Sequence, residues 1–358
     1  MDSIEPVDTM VIGAGQAGLA TGFHLKKRGQ AFLILDSQAR IGDVWRNRWD
    51  SLRLFTPAQH DALPGQPFPA ARGSFPAKDD MANYLEDYAK NWELPVRHGV
   101  QVTGVEREDG KFKVESSTGS FLAKNVVVAT GANARPRIPA EAGALDPAIR
   151  QLHGAEYSNP DAIPPGDVLV VGSGTSGVEI AVELASSHRT YIAGTPPFHV
   201  PGPVLRYAGG LWWFMIHHAL TRSTPMGRKV ATDFTQHGAP LIRTSVKELK
   251  VAGVTRLPRL AGTRDGRPLL QDGRTLPVAT VIWASGYQPD FGWIRGLPED
   301  GHGWPATSRG AVGQLPGLFF VGMPFQYGLT SGLVGGVGRD AEHVAGLIAS
   351  RAPRELAT

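Results

Sequence analysis

The chain has 358 residues, of which 42% are hydrophobic and 19% charged, with a formal net charge of +3. That is a globular composition, long enough for two domains. It contains no Lys/Arg block of the kind that marks nucleic-acid binders, so its slight positive excess suits small anionic ligands and argues against a nucleic-acid partner. Cysteine is absent, which excludes disulfides, cysteine-ligated metals and electron transfer through a cysteine pair.

The opening MDSIEPVD has neither a basic region nor an apolar run. The most apolar later stretch, Gly209 to Leu220, is too short to span a bilayer. A cytoplasmic protein without a transmembrane segment is expected.

In chain order, Thr9 to Ile12 reads as a buried strand. It runs into GAGQAG, then a stretch with helical spacing, then the strand AFLILD; this is a β-α-β unit. A Trp- and Pro-rich tract from Gly42 to Pro76 has little periodicity. Lys78 to Trp92 is an amphipathic helix with acids near its start. Short alternating strands follow, and NVVVATG is a buried strand ending in a glycine turn. At Asp167 the pattern restarts with VLVV, GSGTSG, VEIAVELASS and RTYIAG, an internal repeat of the opening unit. An apolar, aromatic, basic insertion occupies about 199–243. Strands resume near Val251, ATVIWASGY ends in a second glycine turn, and the chain closes with GLFFVG and a helix from about Gly338 to Ile348.

Gly13, Gly15 and Gly18 form G-x-G-x-x-G between a strand and a helix, with Asp36 at the end of the next strand. The first glycine permits the turn, the second admits a pyrophosphate, the third allows helix–strand packing, and the acid reads a ribose. The neighbours Gln16, Ala17 and Ser37 join this candidate cofactor loop. Gly172, Gly174 and Gly177 repeat the motif, with Thr175 and Ser176 at the helix start, but no acid follows the next strand. A missing acid favours NADP over NAD. Arg189, Arg222 and Arg228 are the candidate phosphate partners, while Thr195 stands near the strand end. The paired turns at Thr130–Gly131 and Ser285–Gly286 either return the chain between domains near the cofactors or act as hinges. His153 and Tyr157 precede the second unit, where the histidine either contacts cofactor or is structural. Trp212, Trp213, Phe214 and Met215 are expected to pack a helix onto the body; a pocket wall, a dimer face and a membrane-surface contact are the other readings. Adjacent His217 and His218 point to different helix faces, and no metal site is expected. Hydrolase motifs are absent.

GAGQAG, GDVW (Gly42 to Trp45), SLRLFTP, FPAKDDMANYLEDYA, VVVATG, HGAEY, VVGSGTSGVEIA, WASGYQPD and the GLFFVG–GGVGRDAEHVA ending, in this order, resemble the class B flavin-dependent monooxygenases. The compact bacterial branch similar to YUCCA-type enzymes looks nearest. The resemblance implies FAD at Gly13, Gly15, Gly18 and Asp36. It implies Trp45 and Arg46 in a flavin-side loop, and NADP at Gly172, Gly174, Ser176 and Gly177. It also implies that NADPH (NADH possible) reduces FAD and that O2 then forms a C4a-(hydro)peroxyflavin. That species oxygenates a small, largely apolar organic substrate at N, S or a carbonyl-adjacent carbon. Arg46, Thr56 and His153 are the resulting catalytic candidates. The chain departs from the family where Pro147 and Ile149 replace a Phe and a Gly before His153. It departs again where Phe55 or Thr56 stands for an Asn, and where Thr195 stands for an Arg.

The expected fold is α/β, with two Rossmann-like dinucleotide-binding domains of the glutathione-reductase-like FAD/NAD(P) type and a three-layer β/β/α arrangement. The FAD unit comprises 1–157 and 285–358, and the NAD(P)H unit 158–284. A homodimer fits this reading. Two other functions remain open at this point: an NAD(P)H oxidase or quinone reductase without oxygen insertion, and a non-catalytic flavin redox sensor.

Overall fold

The computed structural model describes residues 4–351 apart from residues 201 and 235–239, and the side chains of 202–208 and 233–234 also lie outside the description. The expected ends of the first unit, 1–3 and 352–358, are therefore not covered. The first half runs β1 (Glu5–Ile12), α1 (Gln16–Lys27), β2 (Phe32–Leu35), α2 (Asp43–Arg46), α3 (Lys78–Asn91), β3 (Val96–Arg97), β4 (Val102–Glu108), β5 (Lys111–Ser116), β6 (Gly119–Val128) and β7 (Arg135–Pro136). The second unit holds β8 (Arg150–His153), β9 (Val168–Val171), α4 (Thr175–Leu184), β10 (Thr190–Ala193), α5 (Gly202–His218), α6 (Pro225–Phe234), α7 (Val246–Val251) and β11 (Thr255–Leu257). The chain ends with β12 (Leu260–Arg264), β13 (Arg267–Leu270), β14 (Thr280–Trp283), β15 (Tyr287–Gln288), β16 (Leu318–Phe320) and α8 (Val334–Arg351).

Two sheets organise the molecule. In the first, β3, β2, β1, β6 and β16 lie side by side and parallel, and β4 and β5 extend it as an antiparallel meander along β6. Helices α1, α3 and α8 cover one face, with Leu19, Tyr84, Tyr88, Val337 and Val344 in that core. The meander side holds Met10, Val126, Phe112 and Phe320. This is the three-layer α/β fold expected of the sequence. The second sheet repeats the strand order as β11, β10, β9, β14 and β8, all parallel. Continuous apolar runs such as VLVV suit strands buried on both faces. The outermost strand next to β6 comes from the C-terminal segment (β16), whereas its counterpart next to β14 comes from the lead-in segment (β8).

The structure corrects three sequence readings. Arg150–His153, assigned to the first unit by a boundary at 157, pairs with Thr280–Trp283 and so builds the second sheet. The segment ending at Val251 is helical, and the strand begins only at Thr255. The closing helix starts at Val334, not Gly338, and takes in the glycine-rich stretch. Glycine weakens an isolated helix, but here the missing side chains permit close packing. A Cβ on Gly335 would lie 2.0 Å from the His60 carbonyl oxygen, and one on Gly338 would lie 2.5 Å from Pro64 Cγ. Tertiary contact thus overrides local propensity.

The segments leaving the two expected glycine turns meet each other. Arg135–Pro136 and Tyr287–Gln288 form the antiparallel pair β7–β15. This pair is the two-stranded crossing between the units.

One substitution pair tests the packing argument. Gly346 lies in α8 with nothing within 4 Å of an added Cβ. Gly346→Ala is expected to raise stability by up to about 1 kcal/mol. Gly335→Ala should lower it despite the same gain in propensity, because backbone must move. Thermal unfolding of both variants measures the opposite signs.

Candidate active site

Each parallel sheet opens at its carboxyl edge into a glycine turn and a helix. In the first, Gly13 has φ +104°, and a Cβ there would meet the Ala129 carbonyl oxygen at 2.7 Å. In the second, Gly172 has φ +111°, and its Cβ would meet the Ala284 carbonyl oxygen at 2.2 Å. Gly18 and Gly177 are as tight, with Cβ positions 1.8 and 2.0 Å from the carbonyl oxygens of Gly13 and Gly172. Gly15 and Gly174 differ: an added Cβ meets nothing within 4 Å. These two glycines therefore border open space at the amino ends of α1 and α4, where they are the N-cap residues. Neither helix has an acid in its first turn. The positive end of each helix dipole is left for an anion. The geometry fits two dinucleotides.

The ribose end differs between the two units. Asp36 follows β2, and its Oδ2 accepts a hydrogen bond from Ala14 N at 2.5 Å while Oδ1 accepts from Gln38 N at 2.8 Å. Ser37, beside it, is exposed. The matching residue after β10 is Gly194, with φ +141°; a Cβ there would lie 2.9 Å from Ser173 Oγ. Ser173 is the counterpart of Ala14. The glycine loop's own serine thus closes the position where a side chain would read the ribose.

Arg189 does not reach this end. It precedes β10, whose first residue pairs with Val168, whereas the glycine loop follows Val171. About 3.3 Å per residue puts it roughly 13 Å away. Its guanidinium lies over Tyr191 and 4.0 Å from Asp167, and its side chain is 73% exposed. Arg222 and Arg228 lie in the insertion, where Arg222 Nε donates to the Phe325 carbonyl oxygen and Arg228 Nη1 lies against the carbonyl oxygens of Arg222 and Ser223.

Of the three catalytic candidates, two are held in hydrogen bonds to their surroundings. Arg46 donates to the Ile41 carbonyl oxygen (2.6 Å), Asp43, Asn83 and Glu86, which fastens its loop to α3. His153 is 2% exposed. Its Nδ1 accepts from Ala155 N at 3.1 Å, so Nε2 carries the proton and donates to the Gly286 carbonyl oxygen at 3.0 Å. Burial holds this histidine below its usual range. His153 pins β8 to the crossing segment, where Ser285 Oγ also donates to the Arg137 carbonyl oxygen. The doubly bonded His153 ring has no nitrogen free for proton transfer, and the Arg46 guanidinium is held by its own loop and α3. Thr130 and Gly131 follow β6; no protein atom lies within 4 Å of an added Gly131 Cβ.

Thr56 sits at the seam of the units. Trp49 and Leu52 belong to the second core, and Leu54 and Ala58 to the first. Trp45 packs against both. The Thr56 hydroxyl donates to Asp61 Oδ1. Asp61 is 0% exposed and its Oδ2 has no partner. Burial pushes it up to about 7, and Thr56 pulls against that rise. The sequence reading missed Asp61. The available signal was its isolation, since no other acid lies between Asp50 and Asp79.

The insertion closes over this region from the second unit. At its neck Val200 N donates to the Leu241 carbonyl oxygen, and Leu241 N to that of Phe198. Trp213 and Ile216 are buried, and Trp213 lies 4.8 Å from the His60 ring. Arg339 Nη1 donates to the His217 carbonyl oxygen at 2.7 Å, and Leu329 N to that of Leu220 at 2.9 Å. The aromatic run therefore packs onto the body through one face, while Leu211 and Phe214 remain exposed. Among the described residues there is no cluster of ligands for a metal, and no helix is long and apolar enough to cross a membrane.

Two nucleotide crevices on repeated parallel sheets, joined by a short crossing and roofed by an insertion, define a two-dinucleotide oxidoreductase. Comparison with known proteins makes this specific. Residues 10–193 match the pyridine nucleotide-disulphide oxidoreductase family. An uncharacterized CzcO-like oxidoreductase of Geobacillus kaustophilus is 38% identical, covering 94% of this chain and 97% of its own. The probable indole-3-pyruvate monooxygenase YUCCA3 of Arabidopsis thaliana is 27% identical over 96% of this chain and 86% of its own. The structure of a flavin-containing monooxygenase from Stenotrophomonas maltophilia superposes with a TM-score of 0.79 at 26% identity, covering 97% and 99% of the two chains. The chain belongs to the pyridine nucleotide-disulphide oxidoreductase family and, within it, is a flavin-dependent monooxygenase of class B type. It works with FAD, a nicotinamide cofactor, O2 and a substrate.

The open glycines yield a test. Valine at Gly15 or Gly174 meets no protein atom at its Cβ but would fill the open space at the helix amino terminus, where a phosphate is expected. Gly174→Val should give folded yellow protein with near-normal FAD that dithionite reduces and NADPH reduces poorly. Gly15→Val should give colourless or unstable protein, because bound FAD stabilises the fold by mass action. Flavin content and anaerobic absorbance distinguish the two.

Proposed function

We propose that the first unit (β1, Asp36) holds FAD and the second (β9, α4) holds NADPH, with NADH as a weaker substitute. The enzyme transfers one oxygen atom of O2 to a small, largely apolar substrate at N, S or a carbonyl-adjacent carbon. The observation that carries this reading is the pair of open cradles at Gly15 and Gly174 in a chain without cysteine. Electrons arriving from a nicotinamide at the flavin have no protein thiol to go to, so O2 and substrate are the remaining acceptors.

FAD, when bound, supplies the oxygen chemistry, and the protein supplies position and dryness. Gly15 and the amino end of α1 hold the pyrophosphate, and Asp36 orients the ribose. Trp45, Trp49 and Leu52 seal the seam. His60 and Trp213 form an aromatic wall under the insertion, which supports an apolar substrate. The YUCCA relatives carry names that specify indole-3-pyruvate, an aromatic 2-oxo acid, and an aromatic ring is a group that such a wall would pack against.

The closed position at Gly194 supports weak cofactor discrimination. No acid follows β10 in the chain to repel a 2′-phosphate, and no arginine follows it directly to capture one. NADPH is expected to outperform NADH by less than about a hundredfold, or roughly 2.7 kcal/mol. Steady-state kinetics with both cofactors checks the ratio, and a strong NADH preference would refute it. For the reaction itself, NADPH oxidation in 18O2 across a panel of amines, sulfides and ketones should give a product heavier by one 18O atom. Peroxide equal to NADPH consumed, with every member of the panel, would identify an oxidase instead.

A further inference from the structure

Asp61 is a buried carboxyl with one oxygen bonded to Thr56 and the other to nothing. No cation among the described residues pairs with it in the observed salt bridges or shifts its titration. Such a group is costly when ionised, and a fold keeps it only where something else is gained. The segment carrying it is held firmly. Asp61 N donates to the Ala58 carbonyl oxygen, Gly335 of α8 abuts the His60 carbonyl oxygen, and Leu63 N donates to Tyr84 Oη at 2.7 Å. The backbone that carries the carboxyl is thereby fixed in the interior, where Asp61 is 0% exposed.

Two protonation states give two directions for the Thr56 hydroxyl. With Asp61 ionised, the threonine proton is committed to Asp61 Oδ1. When Asp61 gains a proton, the new O–H needs an acceptor. Oδ2 has none, so the proton belongs on Oδ1, where Thr56 Oγ1 accepts it. That reversal releases the threonine proton to point away from Asp61. We propose that Asp61 is a positioning residue that sets the direction of the Thr56 hydroxyl at the seam of the two units, inward when Asp61 is ionised and outward, as a donor to the reacting groups, when it is protonated. The proposal rests on the proposed function, in which the first unit holds FAD, and takes the flavin ring to lie at that seam.

The surrounding groups make Asp61 the group that switches near neutrality. Burial and the Thr56 contact set its titration at about 7. Tyr84 of α3 faces it, but burial lifts that phenol to about 12. His60, next in the chain, is held below its usual range by burial and by Arg72, and its ring turns to Trp213 of α5. The α8 residues against this segment, Gly335 and Gly338, carry no charge.

The experiment uses the FAD-loaded full chain without substrate, so it is independent of which substrate the enzyme takes. Infrared pH-difference spectra should show a buried carboxyl C=O band that titrates with a midpoint near 7. The flavin absorbance should change with the same midpoint. Asp61→Asn should abolish both transitions and hold the flavin spectrum at its acid-limb form, since the amide donates to Thr56 as the protonated acid does. Thr56→Val should remove the flavin transition while a carboxyl band still titrates. Thr56→Ser should restore the flavin transition, which a merely structural role would not require. If Asp61→Asn does not fold, displacement of the carboxyl band by Thr56→Val assigns it. Absence of a titrating carboxyl band between pH 5.5 and 9 overturns the proposal. So does a flavin transition that survives unchanged in Thr56→Val. Loss of oxygenation alone, with both transitions intact, counts against the functional reading and leaves the Asp61–Thr56 pair standing.

Discussion

The contact on which the rest of the molecule depends is the one between a glycine turn and the carbonyl of the neighbouring strand end. Gly13 presses on Ala129, and Gly172 on Ala284. Each contact allows a strand, a helix and the next strand end to converge within a few ångströms, with no side chain between them. The helix amino terminus is then aimed at open space beyond Gly15 or Gly174. Electrostatic attraction for a phosphate follows from that aim, because free N–H groups and the dipole end point the same way. The same convergence brings the strand-end turns after β6 and β14 beside the cradles. From those turns the chain leaves to form the β7–β15 crossing.

The two units are then kept in register by contacts of several kinds. His153 spends both ring nitrogens on backbone and so ties the second sheet to the crossing segment. Arg46 spends its guanidinium on α3 and its own loop, which presents Trp45 to both cores. The insertion is clasped from the other side by Arg339, Thr330 and Leu329. None of these groups needs to touch a reacting atom for the site to depend on it. They exclude water and fix distances, on which a dry active site relies. The redox chemistry of such a fold is supplied by its cofactors, and the polypeptide's contribution is largely this geometry.

Much of the architecture was legible in the residues. Repeated strand–glycine–helix patterns carry a local signal, because turn, cap and periodicity lie within about 30 residues of one another. Asp36 could be found for the same reason, sitting one strand beyond its glycine loop. The reading failed where a residue's role depends on a distant partner. Arg189 is near the right strand in sequence but at its wrong end in space. For His153 the sequence allows both a cofactor contact and a structural role, and only the fold shows that Gly286 and Ala155 occupy both its nitrogens. The sequence places the start of the closing helix only at about Gly338, since nothing local reveals that the His60 carbonyl presses on its glycine-rich start.

The sequence by itself determined the two nucleotide-binding units, their order and the absence of protein thiols, and it singled out the acid that follows the second strand. All of these follow from local backbone geometry or from composition. Only the tertiary structure decided that β8 completes the second sheet, that Gly194 is closed by Ser173, and that the insertion folds back over the seam. It alone buried Asp61 against Thr56, with one oxygen unpaired. Burial and pairing arise when segments far apart in the chain displace water from each other. A lone aspartate between prolines carries no mark of that, and its chemistry exists only once α3, α8 and the seam have enclosed it.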